Sequence, residues 1–90
     1  MRAIERTARF KRDYKRQRKA DPKLDLILQD VLALLVADAP LPERLHDHAL
    51  GGNWSGYRDC HLKPDLVLIY AKPANTLSLV RIGSHSELFG

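Results

Sequence analysis

Thiols and long apolar runs are what this chain of 90 residues has least of. Its single cysteine, Cys60, excludes an internal disulfide and a paired-thiol metal motif. We interpret Cys60 as a small strand residue and not as a nucleophile. No stretch approaches the ~20 consecutive apolar residues of a membrane span, so we expect no membrane contact. The charged N-terminal segment lacks the apolar part of a secretory signal, so we expect a cytoplasmic protein in a reducing compartment.

Basic residues are abundant by contrast, and they are unevenly distributed. The net charge is +4 at pH 7, and ten of the fifteen lysine and arginine residues lie within Met1–Lys23, against three acidic residues there. Such an asymmetry indicates a polyanion or an acidic protein as partner. Charge alone favours slightly the plainer interpretation, which is a solvated helix face that binds nothing.

The composition and hydrophobic spacing predict one small domain over residues 1–90. Thr7 is a candidate N-cap for a basic helix on which Phe10 and Tyr14 share a face. Asp21-Pro22 is typical of the start of a second helix, in which apolar residues recur at spacings of three and four. In chain order the predicted strand, two helices and three strands are Ala3–Arg6, Ala8–Lys19, Pro22–Ala37, Tyr57–Lys63, Leu66–Ala71 and Thr76–Ile82.

Short turns join the last three strands, at Pro64-Asp65 and Lys72–Asn75, and such turns require antiparallel neighbours. The element order therefore predicts an α+β domain in which a two-helix hairpin packs on a small antiparallel sheet (β-α-α-β-β-β). The long loop Ala39–Gly56 is of a length that is usually functional or disordered, and its aromatic and histidine content favours order. The tail Ser84–Gly90 is expected to form a short turn or half-helix.

Histidines in the second half of the chain, His48, His61 and His85, accompany aspartates and arginines. Histidine is the only side chain whose unperturbed pKa lets it act as acid or base near pH 7. Metal-free cleavage of RNA needs a base for the 2′-hydroxyl, an acid for the departing 5′-oxygen and cations for the phosphorane. These residue types therefore point to that reaction class.

Strand alternation places some of these groups on one surface. Within Tyr57–Lys63, the side chains of Asp59, His61 and Lys63 share a face, and Cys60 points to the other. A carboxylate on that face could orient the imidazole and raise its basicity. A polar face exposed to solvent explains this strand equally well.

The end of the chain offers three further candidates. Arg81 could clamp phosphate with its planar guanidinium, or it could form a salt bridge at a sheet edge. His85 could deliver or remove a proton. Phe89 could stack on a base, or it could close the hydrophobic core.

The predicted loop Ala39–Gly56 holds further polar and aromatic residues. His46, Asp47 and His48 are possible metal ligands, but no thiolate accompanies them and no helical spacing fixes the pair. We therefore predict no metal ion and no cofactor, and we interpret His46 as exposed and without a role. Trp54 is expected to anchor the loop to the core.

The motifs taken together resemble a known family. They are His48, the tryptophan-x-glycine-x-arginine-aspartate-x-histidine run Trp54–His61, Pro64-Asp65, the arginine-x-glycine-x-histidine run Arg81–His85, and the terminal Leu88-Phe89. With the basic helix pair, this set resembles the YafQ branch of the RelE/ParE toxin superfamily over nearly the whole chain. The resemblance implies a RelE-like fold and a toxin of a bacterial type II toxin–antitoxin pair that cuts mRNA in the ribosomal A site.

The resemblance also implies roles for individual residues and partners. A cognate antitoxin would silence the toxin, and operator DNA would be bound only through the complex of the two. Ala49 and Leu66 stand where the family often has proline and tryptophan, and neither change removes a proton-transfer group. The catalytic and supporting positions that the resemblance implies are His48, His61, Asp65 and His85, with Asp59, Arg81 and Phe89.

The expected mechanism is attack by the 2′-hydroxyl, which leaves a 2′,3′-cyclic phosphate and a 5′-hydroxyl. We expect His85 to be the general acid and His48 or His61, held by Asp65 or Asp59, to be the general base. Basic side chains would hold the toxin to 16S rRNA and to mRNA on the 70S ribosome, and the same helix face could dock an acidic antitoxin segment. These side chains are Arg9, Lys11, Arg12, Lys15, Arg16, Arg18, Lys19, Arg58 and Lys63.

Two alternative functions stay open on the same scaffold. One is a non-catalytic inhibitor of DNA gyrase, as in the ParE branch, which needs no histidine cluster. The other is an RNA-binding module without chemistry.

Overall fold

The first half of the chain forms one strand and two helices. In the computed structural model, which describes residues 1–90, strand β1 spans Ala3–Arg6, helix α1 spans Ala8–Ala20 and helix α2 spans Leu24–Val36. Thr7 caps α1 as predicted, because its hydroxyl accepts a hydrogen bond from the backbone N–H of Phe10 at 3.0 Å.

Helix α2 begins later than the predicted start at Pro22. The carboxylate of Asp21 accepts the backbone N–H of Lys23, and the carbonyl of Asp21 accepts that of Leu24. These two bonds close a turn ahead of the helix, so Leu24 is its first residue. Neither helix approaches the length and hydrophobicity that a bilayer-crossing segment needs.

The predicted loop Ala39–Gly56 is ordered and adds a strand that the sequence pattern did not indicate. Two short 3₁₀ turns, Glu43–Leu45 and Gly52–Trp54, flank strand β2, which consists of His48–Ala49. The remaining elements are β3 at Arg58–Lys63, β4 at Leu66–Ala71, β5 at Thr76–Gly83 and helix α3 at His85–Phe89.

The five strands form one sheet in the order β1-β5-β4-β3-β2. The predicted α+β class is confirmed, and the turns between β3, β4 and β5 join antiparallel neighbours as expected. The sheet is mixed, however, because β1 runs parallel to β5. Turn length could not indicate that direction, since most of the chain separates these two strands.

The helices cover one face of the sheet and bury the main core. This core includes Phe10 and Leu24 from the helices, and Cys60 and Leu68 from the strands. Cys60 is fully buried, and burial raises the pKa of its thiol to about 12, so the thiol stays protonated at neutral pH. This agrees with a structural role for the cysteine.

The opposite face of the sheet carries a smaller apolar cluster. It consists of Val67, Ile69 and Leu88, and Trp54 packs against it as expected. Asp59 lies directly across from Ile69 in the pairing of β3 with β4, so its carboxylate is on this second face. This second face is not covered by α1 and α2. The polar residues of β3 that point away from the main core therefore lie on it.

Candidate active site

His48 is held at its Nδ1 atom. The ring lies on β2, opposite Asp59 on β3, and its Nδ1 is 2.7 Å from the carbonyl oxygen of His46. A carbonyl oxygen can only accept, so Nδ1 must carry the hydrogen. In the neutral ring Nε2 therefore keeps its lone pair and can accept a proton.

His85 is held in the same way by a different acceptor. Its Nδ1 is 2.7 Å from Oδ1 of Asp65, and its backbone N–H donates to the same oxygen at 3.1 Å. Hydrogen bonds from the side chain and then the backbone of His85 lower the pKa of Asp65, so this carboxylate is ionised at neutral pH. Asp65 comes from the β3–β4 turn and His85 begins α3, so two sequence-distant elements build this pair.

His61 lies at the centre of a cluster of four imidazoles. Its ring centroid is 5.1 Å from that of His85, 5.5 Å from that of His46 and 6.3 Å from that of His48. The structure thus brings together the three predicted histidines from residues 48, 61 and 85. It also adds His46, which the sequence analysis set aside.

The expected rise in the basicity of His61 is not what the structure shows. Burial lowers its pKa, and the other imidazoles add to this effect against the attraction of Asp59. The ring is therefore neutral at pH 7. Asp59 faces His48 more directly, at 3.1 Å from Nδ1, so its partner is the loop histidine and not its strand neighbour.

Asp59 is an almost completely buried carboxylate, with 2% of its surface exposed. Its Oδ1 atom has no hydrogen-bond donor, because the Nδ1–H of His48 is directed at the carbonyl of His46. Burial raises the pKa of Asp59, and the nearby charges of His48 and His61 only partly oppose it. The 3.1 Å contact with His48 is therefore not a hydrogen bond, and it becomes an ion pair only when the ring is protonated and the carboxylate is ionised.

Phe89 lies at the edge of the cluster and does not close the core. Its ring is 41% exposed, and its centroid is 6.3 Å from that of His85. Trp54 contacts the other side of Phe89 edge-on at 6.4 Å. Leu88, its buried neighbour, fills the apolar cluster beneath α3. Of the two predicted roles for Phe89, the structure leaves the ring free to stack on a base.

Arg81 forms a salt bridge, the predicted alternative to phosphate binding, but the pair is largely buried and β5 is not an edge strand. Its Nε and Nη2 atoms each lie 2.9 Å from the carboxylate of Asp13 on α1. The two N–H groups of Nη1 and the second N–H of Nη2 remain for a phosphate. Sequence reasoning missed Asp13 because it lies within a helix segment dominated by cations, where no pattern indicates burial.

The predicted basic surface divides into free and paired side chains. Arg16 contacts Asp13 and Glu87, and Arg18 contacts Asp25. The exposed side chains of α1 without an ion pair are Arg9, Lys11, Arg12, Lys15 and Lys19.

The two predicted RNA-binding cations on β3 also form ion pairs within the protein. Arg58 forms two hydrogen bonds with Asp47, at 3.2 and 3.3 Å. A register shift after His61 turns Lys63 away from the face that alternation predicted, and its ammonium group pairs with Asp21.

Comparison with known proteins places the chain in a family. A family model described as a bacterial toxin of type II toxin–antitoxin systems, YafQ, matches residues 2–90. The chain belongs to the YafQ toxin family. Over 89 residues it is 36% identical to the mRNA interferase toxin YafQ of Escherichia coli strain K12, covering 99% of this chain and 97% of that protein. The resemblance inferred from the motifs is thereby confirmed.

Solved structures of YafQ relatives share the fold. A chain of the E. coli DinJ–YafQ toxin–antitoxin complex is 37% identical, with a TM-score of 0.89 and full coverage of both chains. A metal-bound toxin from Helicobacter pylori is 44% identical, with a TM-score of 0.91, covering 99% of this chain and 100% of that one. In the present chain no group of three or more histidine, cysteine, aspartate or glutamate side chains is arranged to hold a metal ion.

Proposed function

We propose that this YafQ family member is an endoribonuclease that cuts mRNA in the ribosomal A site, using histidines and no metal ion. The supporting observation is the convergence of His48, His61 and His85 on the open face of the sheet, with His61 5.1 Å and 6.3 Å from the other two ring centroids. Side chains that serve only as a solvated polar surface need no such convergence.

His48 is the general base in this proposal. Because its Nδ1–H is bound to the carbonyl of His46, its Nε2 lone pair is available for the proton of the 2′-hydroxyl. As that proton leaves, the 2′-oxygen bonds to phosphorus. Asp59 then lies 3.1 Å from the Nδ1 of the imidazolium that forms, where it stabilises the new charge.

His85 is the general acid. The ionised carboxylate of Asp65 holds Nδ1 and stabilises the imidazolium, so that Nε2–H points away from Asp65 and can reach the leaving group. The bond between phosphorus and the 5′-oxygen breaks, and that oxygen takes the proton from His85. The products are a 2′,3′-cyclic phosphate and a 5′-hydroxyl, with no water consumed.

His61 lies between the base and the acid and is neutral at pH 7 because burial lowers its pKa. A neutral imidazole there can donate a hydrogen bond to a non-bridging phosphate oxygen as negative charge develops in the phosphorane. Arg81 can add its free Nη1, and Phe89 can stack on an adjacent base.

The partners in this proposal follow from the surface and from the relatives. Five unpaired cations on the exposed side of α1 suit the phosphates of ribosomal RNA, which are bound without sequence readout. E. coli YafQ is found in a complex with DinJ, and we propose that a cognate antitoxin likewise silences this chain and mediates any contact with operator DNA. The site of action is the cytoplasmic ribosome.

Mapping of mRNA 5′ ends in a translating extract tests the proposal. Wild-type protein should produce new ends with 5′-hydroxyl groups, and His85→Ala should lower the cutting rate by about 10²–10⁴ while antitoxin binding is retained. Antitoxin binding shows that the variant is folded. If the variant cuts as fast as the wild type, the assignment of His85 is wrong. If translation continues and no ends appear with wild type, a gyrase inhibitor or a passive RNA binder replaces the nuclease.

A further inference from the structure

A groove of about 580 Å³ adjoins the histidine cluster without being part of it. His61 lines both, whereas His48 and His85 do not line the groove. The groove runs between the 3₁₀ turn Glu43–Leu45 and the end of β3. Its lining residues are Arg44, Leu45, His46, His61, Leu62, Lys63 and Pro64.

Arg44 brings to the groove a positive charge that no ion pair within the protein neutralises. Arg44 is exposed and makes no ion pair, and the ring of His46 stands 5.5 Å from that of His61. Of the nearby carboxylates, Asp47 is bound by Arg58 and Tyr70, and Glu43, which precedes Arg44 in the same turn, is exposed and forms no ion pair with it. Asp21 pairs with Lys63 at the end of the groove.

The turn that presents Arg44 and His46 is fixed on both sides. Leu45 is 5% exposed and belongs to the main core, so its neighbours on either side are displayed outward. His46 then adopts a left-handed backbone conformation, with φ of 48°, and its carbonyl binds the ring of His48. Arg44 and His46 are thus held at a set position relative to the proposed general base.

We propose that this groove binds the phosphodiester next to the scissile one in the RNA strand, through Arg44 and His46. The location of the scissile phosphate at His61 rests on the proposed nuclease function. An RNA strand that passes His61 must place its next phosphate beside it, and an unpaired cation such as Arg44 is what that phosphate requires. The guanidinium can bind two phosphate oxygens, and the His46 ring can donate one further hydrogen bond.

A 2′-O-methylated RNA tetranucleotide is a suitable probe, because its blocked 2′-oxygens prevent cleavage. Titration into isotope-labelled protein should shift the side-chain NMR signals of Arg44, His46 and His61 together. Arg44→Ala should weaken the binding three- to tenfold and reduce the dependence of log K on log salt by about 0.7, the loss of one phosphate contact to a single strand. Arg44→Lys should recover most of the salt dependence, since it restores the charge.

Arg6→Ala is the matched control, because Arg6 is an exposed cation on β1, at the opposite edge of the sheet. It should leave the affinity and the salt dependence unchanged. The proposal is overturned if Arg44→Ala and His46→Ala both bind like wild type, or if the probe shifts His48 and His85 without moving the groove signals.

The outcome is independent of whether the chain cuts RNA. The probe cannot be cleaved, because its 2′-oxygens are blocked, so its binding reports on the phosphate site and not on proton transfer. If wild-type protein failed to cut mRNA but still bound the probe through Arg44, the nuclease proposal would fall and the phosphate site would stand. If cutting depended on His85 but Arg44→Ala did not weaken binding of the probe, the nuclease proposal would stand and the phosphate site would be rejected.

Discussion

Replacement of Asp13 by alanine would remove the acceptor that joins α1 to the end of β5. Asp13 is 3% exposed and binds Arg81 through two contacts of 2.9 Å. It also accepts the backbone N–H of Ile82 at 3.3 Å. The alanine variant leaves a largely buried guanidinium without its counter-ion and a buried N–H without an acceptor.

The size of the effect follows from this burial. Removal of one partner from a buried ion pair costs about 3–5 kcal/mol, because the remaining charge stays desolvated. The Arg81 side chain is 13% exposed, so partial hydration places the loss near the lower end, at about 3 kcal/mol. For a domain of this size, that corresponds to a melting temperature lower by about 12–24 °C.

The dependence on pH has a definite sign. Burial alone would raise the pKa of Asp13, but the hydrogen bonds from Arg81 and Ile82 outweigh it and hold the pKa below 3.8. Because the folded-state pKa is lower than the unfolded one, ionised Asp13 stabilises the fold above about pH 4. This contribution is lost as the pH falls through the folded-state pKa. The difference in unfolding free energy between wild type and Asp13→Ala should therefore become smaller in acid.

Thermal and urea unfolding followed by circular dichroism measure both effects. Arg16→Ala is the control, since its side chain is 54% exposed and its pairing with Asp13 should be worth less than about 1 kcal/mol. A melting temperature for Asp13→Ala within a few degrees of wild type would refute the reasoning. So would a gap that is the same at pH 3 and pH 7.

Three further substitutions test the site itself. Asp59→Asn should be more stable than wild type at pH 7 and equally stable near pH 3. Burial raises the pKa of Asp59 above 3.8, so its ionisation costs stability as the pH rises. Melting curves at the two pH values check this. Asp65→Asn should slow mRNA cutting by less than the ~10²–10⁴ of a lost acid, since it orients His85 without transferring a proton; rates in the extract decide it. Phe89→Ala should weaken RNA binding by about 1 kcal/mol or more. It should also lower stability, because the half-buried ring loses its contacts with Trp54 and His85; unfolding and probe titration separate the two effects.

Local patterns in the sequence were sufficient for the elements whose signals are local. The Thr7 cap, the apolar spacing of α2 and the short turns between β3 and β5 act over a few residues, and each predicted element formed. The direction of β1 depends on its pairing with Thr76–Leu79, far along the chain, and no periodicity encodes that. Strand β2 has only two residues and takes its conformation from β3.

In the candidate site too, local sequence patterns identify some features and only the tertiary fold shows others. Residue types and motif spacing identified the three histidines, but only the fold shows which carboxylate meets which ring. The pairing of Asp59 with His48 depends on the register of β2 against β3, and that of Asp65 with His85 depends on where α3 begins. The role of Asp13 was invisible because its partner Arg81 is 68 residues away.

The three central imidazoles differ in what their Nδ1 atoms bind, and our proposal for their catalytic roles follows from this difference. In His48 and His85 an oxygen acceptor binds the Nδ1 hydrogen, so each ring presents Nε2 on the side away from that acceptor. His61 has no hydrogen-bonded acceptor, and burial favours its neutral form. Proton transfer requires rings whose orientation and tautomer are set before the substrate arrives, whereas charge stabilisation requires only a donor at the phosphate. We therefore propose that the general acid is the ring from α3, that the general base is the ring from β2, and that the strand histidine between them binds the phosphate.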